Sequence, residues 1–168
     1  MNILIEKAKP SDAAELLEYL KIIGSESDNL TFGAEGLPLT VEEEQDFLAS
    51  QLISASAVTL VAKKDGKIVG NARFTGAARE RTRHRGDIGI SVMKDEWGQG
   101  IGSMLLETLI DFAKNTAHAE LITLEVKNDN VRAIALYEKF GFQKMGCFKG
   151  FSKVNGKYLD FDMMYLFL

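Results

Sequence analysis

The sequence predicts a mixed α/β fold, with helices packed on a sheet that is mostly antiparallel. Three observations carry this. Two pairs of β-rich runs are joined by Asp65-Gly66 and Asn155-Gly156, dipeptides that favour tight two-residue hairpins. Between them lie segments whose apolar residues recur at helical spacing, the mark of helices with one buried face. Lastly, Gly98-Gln99-Gly100-Ile101-Gly102 stands where a strand-like run gives way to a helix-like one. No repeat, low-complexity tract or Pro/Ser-rich linker interrupts the 168 residues, so residues 1–168 read as a single domain.

The elements follow in order. Residues 3–8 form a short first strand. Asp12, with Glu15 three residues later, has the spacing of a helix cap, and Ala13, Leu16, Leu17 and Leu20 supply one apolar stripe. The stretch GSESDNLTFGAEGLPL reads as a long loop. Thr40 and Glu43 repeat the capping pattern ahead of Phe47, Leu48 and Leu52. Residues 58–63 and 67–75 flank Asp65-Gly66 and lead through RERTRHR (79–85) to a further strand at 88–92. From Ile101 the apolar positions 101, 104, 105, 109 and 112 mark a helix. LITLEV (121–126) reads as a strand buried on both faces. Ala133, Ile134 and Tyr137 mark a last helix closed by Gly141. The final hairpin carries Cys147, expected to be buried.

Composition narrows the function. Lys and Arg number 20 against 24 Asp and Glu, a net charge of −4, which argues against bulk nucleic acid as the main partner. The single cysteine allows no internal disulfide and no cysteine-rich metal site. His84 and His118 have no metal-ligand spacing, so no metal is expected. The opening MNILIEKAKP lacks a long apolar run and carries Glu6, so a secretory signal is not expected. No run approaches the ~18 apolar residues of a membrane helix, and the expected compartment is the cytoplasm.

The glycine turn carries the functional signal. A strand that passes through glycines into a helix presents unpaired backbone N–H groups at one point, with the helix dipole adding partial positive charge. Such a place suits a phosphate or diphosphate. A plain structural turn is the simpler alternative, but it needs one glycine rather than three. The P-loop pattern fails for want of a lysine after Gly102, and the dinucleotide fingerprint fails on glycine spacing.

With Asn130-x-Arg132-Ala133-x-x-Leu136-Tyr137-x-x-x-Gly141-Phe142 downstream, the chain resembles the GNAT N-acetyltransferase superfamily over nearly its whole length. The resemblance implies an acyl-CoA N-acyltransferase fold, with a parallel split in the sheet at the cofactor site and helices on both faces. It implies acetyl-CoA as cofactor. The backbone of Ile90 and Val92, with Ser91 between them, would pair with the pantetheine amides. The amides of Gly98, Gln99, Gly100, Ile101, Gly102 and Ser103 would hold the diphosphate, and Asn130 would reach the pantetheine or thioester end. One departure is Trp97, which stands where the family usually has Arg or Gln. A weaker or rearranged cofactor contact is expected there.

Acetyl transfer to an amine needs a neutral amine, a polarised carbonyl and a proton for the leaving thiolate. Deprotonating a lysine-like amine at pH 7 costs about 4–5 kcal/mol, so a base or water chain must take the proton. Tyr137 is the candidate acid. An ordinary phenol lies about 2 kcal/mol uphill of the thiol, close enough for a strong hydrogen bond to serve. Tyr137 also lies on the apolar face with Ala133 and Ile134, where a packing role is the alternative. Asp87 and Glu125 are the candidate bases, since a carboxylate within an apolar strand is costly unless paired. Phe32, Glu35 and Leu39 would line the acceptor site by analogy. RERTRHR reads as a solvated connection, with the 3′-phosphate of CoA, an acidic substrate or RNA as alternatives.

The expected activity is therefore N-acetylation of a primary amine by direct attack. The acceptor would be a small-molecule amine or a protein N-terminus. A non-catalytic acyl-CoA-binding or sensor domain is the alternative. The apolar C-terminal segment YLDFDMMYLFL points to a homodimer.

Overall fold

The computed structural model describes residues 2–168. The strands are β1 (Ile3–Lys7), β2 (Ala57–Lys64), β3 (Lys67–Gly76), β4 (Arg85–Val92), β5 (Leu121–Lys127), β6 (Gln143–Val154) and β7 (Lys157–Phe167). The helices are α1 (Ala13–Glu26), α2 (Val41–Leu52), α3 (Ile101–Asp111) and α4 (Val131–Lys139). The seven strands form one sheet in the order β1-β2-β3-β4-β5-β7-β6. Every neighbouring pair is antiparallel except β4–β5.

Local chemistry explains most of this. Asp65 and Gly66 have φ of 50° and 82°, and Asn155 and Gly156 have 50° and 78°. These positive values at both central residues are what a right-handed twisted hairpin demands of its turn. Thr40 caps α2: Glu43 N–H donates to Thr40 Oγ1 at 3.1 Å, and Thr40 N–H donates to Glu43 Oε2 at 2.8 Å.

The expected Asp12–Glu15 cap takes another form. Lys9 N–H donates to Asp12 Oδ2 at 2.8 Å across a short 3-10 turn, Pro10–Asp12. Lys63 Nζ reaches Asp12 Oδ1 at 2.7 Å and Glu6 Oε1 at 2.8 Å. Glu15 instead accepts the Ile68 N–H at 2.8 Å, tying α1 to β3.

The two faces of the sheet bury separate cores. Against one pack α3 and α4, through Ile101, Leu105, Leu106, Leu109 and Tyr137, on Leu60, Phe74, Ile122 and Leu124. Against the other pack α1 and α2, through Leu16, Tyr19, Leu20, Ile23 and Leu48, on Val61 and Ile68. Gly86 shows how tight the first core is, because a Cβ there would lie 2.4 Å from Phe74 Cζ.

Three expectations need correction. Strand β4 begins at Arg85, inside the charged segment read as a connection, because Arg85 already pairs with Leu121. Cys147 is exposed on β6, a strand that lies at the sheet edge. LITLEV is not apolar on both sides: Ile122, Leu124 and Val126 are buried, whereas Glu125 is exposed. Its neighbour β4 has already diverged at that level, which opens the other side of β5. Among the described residues, no helix is long and apolar enough to cross a membrane.

Candidate active site

The parting of β4 from β5 makes the site. Their pairing covers Arg85–Leu121, Gly86–Ile122 and Asp87–Thr123, then stops, although both strands continue. On its other edge β4 stays paired with β3 as far as Val92–Gly70, and Met93 N–H still reaches the Val69 carbonyl at 2.9 Å. Backbone groups alternate in direction along a strand, so those of Ile90 and Val92 face the split.

A cleft of about 300 Å³ runs from this split to the start of α3. It is lined by Ile90, Ser91, Val92, Trp97, Gly98, Gly100, Ile101, Gly102, Ser103, Asn130 and Tyr137. These come from three separate stretches of chain. Gln99 is not among the lining residues; its Nε2 donates to Glu96 Oε2 at 2.7 Å instead.

The glycines act in two ways. Gly98 and Gly100 adopt φ of 79° and 81°, the left-handed region, with open space where a Cβ would stand. A side chain there would cost about 1–2 kcal/mol in strain and would occupy the approach to the turn. Gly102 is a packing glycine, since a Cβ would lie 3.1 Å from Leu136 Cδ2 on α4. The first backbone bond of α3 runs from Met104 N–H to the Gly100 carbonyl at 3.1 Å. No side chain caps the helix, so the N–H groups from Gly98 to Ser103 are free to meet an anion.

Trp97 does not point idly. Its Nε1–H donates to the Val92 carbonyl at 2.8 Å, so one of the two backbone groups expected to serve the cofactor already has a partner. The Arg132 guanidinium lies over the indole, 4.5 Å from the ring centroid. Such a stack is worth about 0.5–1 kcal/mol at an exposed position. Asn130 caps α4, accepting the Ala133 N–H at its Oδ1 at 3.3 Å, and its side-chain NH₂ keeps both donors for a ligand.

Tyr137 is buried in the core and packs edge-on against Phe142, with ring centroids 5.7 Å apart. Burial pushes its pKa up to about 12. Asp87 and Glu125 do not line the cleft but stand on the sheet face away from Tyr137, at the closed end of the split where β4–β5 pairing stops. Thr123 Oγ1 donates to Asp87 Oδ1. Partial desolvation of the carboxyl, on a side chain that is still exposed, followed by the like charge of Asp87, raises the pKa of Glu125. Gly89, two residues after Asp87 on β4, has nothing within 4 Å of where a Cβ would be, so that face is open.

The loop after α1 departs from expectation. Phe32 packs into the α1–α2 core, Glu35 Oε1 accepts the Gly33 N–H at 2.9 Å, and Leu39 is exposed; none of them lines the cleft. Ser27, Asn29 and Leu30 do, together with Ile23 and Glu26. Two contacts hold that wall. Lys94 N–H donates to Glu26 Oε2 at 3.0 Å, and Lys127 Nζ pairs with Asp28 Oδ1 at 2.8 Å. Burial works against the Lys127 ammonium, but Asp28 and Asp129 outweigh it and raise its pKa. Tyr19 and Ser91 share a hydrogen bond of 3.0 Å that ties α1 to β4. Neither ion pair nor bond was legible in the sequence, since each joins residues distant along the chain. Among the described residues, no group of three or more His, Cys, Asp or Glu is arranged to hold a metal ion.

A sheet wedged open between two parallel strands, with a glycine turn at its mouth, makes a site for a long ligand that carries an anionic group. Residues 25–142 match the family described as Acetyltransferase (GNAT) family. An acetyltransferase of the GNAT family from Streptococcus pneumoniae superposes with a TM-score of 0.95 at 36% identity, covering 99% of this chain and 100% of that one. The chain belongs to the GNAT acetyltransferase family.

Among curated relatives, L-amino acid N-acetyltransferase AaaT of Escherichia coli (strain K12) is 36% identical over 101 residues, 60% of this chain and 62% of that protein. N-alpha-acetyltransferase RimI of Mycobacterium tuberculosis is 35% identical over 95 residues, 56% of this chain and 58% of that protein. The matches thus span about three-fifths of those relatives. YncA from Salmonella typhimurium, solved with its cofactor acetyl-CoA, shares the fold at a TM-score of 0.86 and 20% identity, covering 100% of this chain and 95% of that one.

Proposed function

We propose that this chain, taken over residues 1–168 as one catalytic unit, is an acetyl-CoA-dependent N-acetyltransferase acting on a primary amine. The observation that carries the reading is the β4–β5 split leading to free N–H groups at the α3 turn. That combination suits a long ligand with amides at one end and a diphosphate at the other. Acetyl-CoA would supply a thioester carbonyl for the amine to attack and, as the C–S bond breaks, a thiolate to leave, which solvent then protonates. Backbone groups of Ile90 and the Val92 N–H would bind the amide-bearing arm, and the amides from Gly98 to Ser103 the diphosphate.

Tyr137 would donate a hydrogen bond to the leaving sulfur. With a phenol at about 12 and an ordinary thiol near ~8.5, full transfer lies roughly 5 kcal/mol uphill in the ligand-free protein. Hydrogen bonding rather than complete protonation is therefore its task. Glu125 is favoured over Asp87 as base. Its raised pKa makes it the stronger proton acceptor, while Asp87 is held by Thr123.

The acceptor is a small-molecule amine or a protein N-terminus, and the names of the relatives supply the panel: L-amino acids, N-terminal peptides, aminoglycosides and phosphinothricin. Release of free CoA thiol from acetyl-CoA is measured with each amine. At least one amine should drive it, and Tyr137→Phe should keep CoA affinity while losing turnover. A protein that binds CoA yet transfers to none of them, unaffected by the substitution, is the non-catalytic sensor instead.

The exposed Met145 and Phe148 on the edge strand β6, with Tyr158 and Phe167 on β7, support a homodimer. Sedimentation at micromolar concentration should give twice the chain mass; a monomer removes this part of the proposal. The lone unpaired Cys147 suits the cytoplasm, where thiols stay reduced.

A further inference from the structure

Arg132 is the one cationic side chain among the residues that line the cleft. Its guanidinium carbon lies 4.5 Å from the Trp97 ring centroid, and the indole is itself fixed by donating to the Val92 carbonyl at 2.8 Å. A cation held over a ring face still has N–H donors to spare, and the fork of a guanidinium matches phosphate oxygens. The two carboxylates that line the cleft have other partners. Glu96 is paired with Lys64 at 2.6 Å, and Glu26 accepts the Lys94 N–H at 3.0 Å. Trp97 immediately precedes Gly98, where the free amides begin, so the stacked charge stands beside those donors.

We propose that Trp97 and Arg132 form a two-part clamp for the diphosphate of coenzyme A, the indole being the platform and the guanidinium the ligand. This rests on the cofactor reading above. It assigns a role to the one position where the glycine turn departs from its family. The polar side chain absent before Gly98 is replaced from another helix, across the cleft. Arg132 is the binding residue, and Trp97 is a positioning residue that acts through it.

Affinities for CoA and for dephospho-CoA, which lacks the 3′-phosphate but keeps the diphosphate, are measured by titration calorimetry on the intact protein and its variants. Arg132→Ala should weaken both ligands by about tenfold or more, as loss of charge-assisted hydrogen bonds does. Arg132→Lys keeps the charge but not the planar stack, and should weaken both by a smaller factor. Trp97→Leu should weaken both as well, and the Trp97→Leu/Arg132→Ala double variant should bind no worse than Arg132→Ala alone, because the platform matters only through the cation. Trp97→Phe retains an aromatic face and should preserve most of the affinity even where Trp97→Leu disturbs folding.

A loss seen with CoA but not with dephospho-CoA overturns the assignment to the diphosphate in favour of the 3′-phosphate. Unchanged affinity in Arg132→Ala, beside a wild type that binds CoA, overturns the clamp and leaves the acetyltransferase reading standing. A wild type that binds neither ligand overturns both.

Discussion

Glu125 and Asp87 show how two carboxylates on neighbouring strands come to sit in different surroundings. Asp87 is held by the Thr123 hydroxyl, whereas Glu125 is raised by partial desolvation and then by the charge of Asp87 itself. As the proposed base, Glu125 must be ionised to act, so activity should fall as the pH drops through a value above the ordinary 4.5 of a glutamate. Glu125→Gln should lower kcat by about a hundredfold or more and abolish this acid limb. Asp87→Asn removes the like charge and should move the limb to lower pH, with a smaller loss of rate. Profiles of kcat/KM against pH for the three proteins check this, and an acid limb that stays in place in Glu125→Gln removes Glu125 from the mechanism. Either residue could be named from LITLEV and RGDIGIS, but not chosen between. The choice depends on which neighbours the folded sheet brings near, and no local pattern encodes that.

The elements divide along the same line. Both hairpins, the Thr40 cap and the glycine turn were legible because a few adjacent residues decide their backbone angles. The start of α1 was misread because its partner is distant. Lys63, on β2, draws Asp12 and Glu6 to itself, so the helix begins through Lys9 and a 3-10 turn. The Glu6 carboxyl lies below its ordinary 4.5 through its bond to Lys63, with burial opposing. For Asp12 burial is the largest influence and would raise the value, yet Lys63 and the Lys9 N–H together hold it below 3.8. Both groups therefore bind protons more weakly folded than unfolded. Their stabilisation is complete above those ordinary values and is lost as pH falls through the lowered ones. Lys63→Met should cost about 2 kcal/mol at neutral pH and flatten the decline in stability below pH ~4. Urea unfolding at several pH values tests it; an unchanged acid limb would mean that the cluster adds nothing to folding.

At the scale of the molecule, the two cores hold the sheet from opposite faces, yet β4 and β5 share only three register pairs at its centre. The resemblance to a known family made this split foreseeable, while the contacts that hold its walls, from Lys127 to Asp28 and from Arg132 to Trp97, depend on the finished arrangement. The same short seam has a thermodynamic corollary. Peptide hydrogens of Ile90 and Val92 should trade with deuterated water far sooner than their sequestered neighbours Ile88 and Ile122. Saturating CoA, acting as a missing filament of the weave, should slow them. At a hundred times its dissociation constant it would lend the whole fold about 2.7 kcal/mol. Mass-spectrometric exchange rates that are equally slow with and without CoA would mean that the seam is already sealed. On this reading the polypeptide is an unfinished fabric whose last thread is the molecule it consumes.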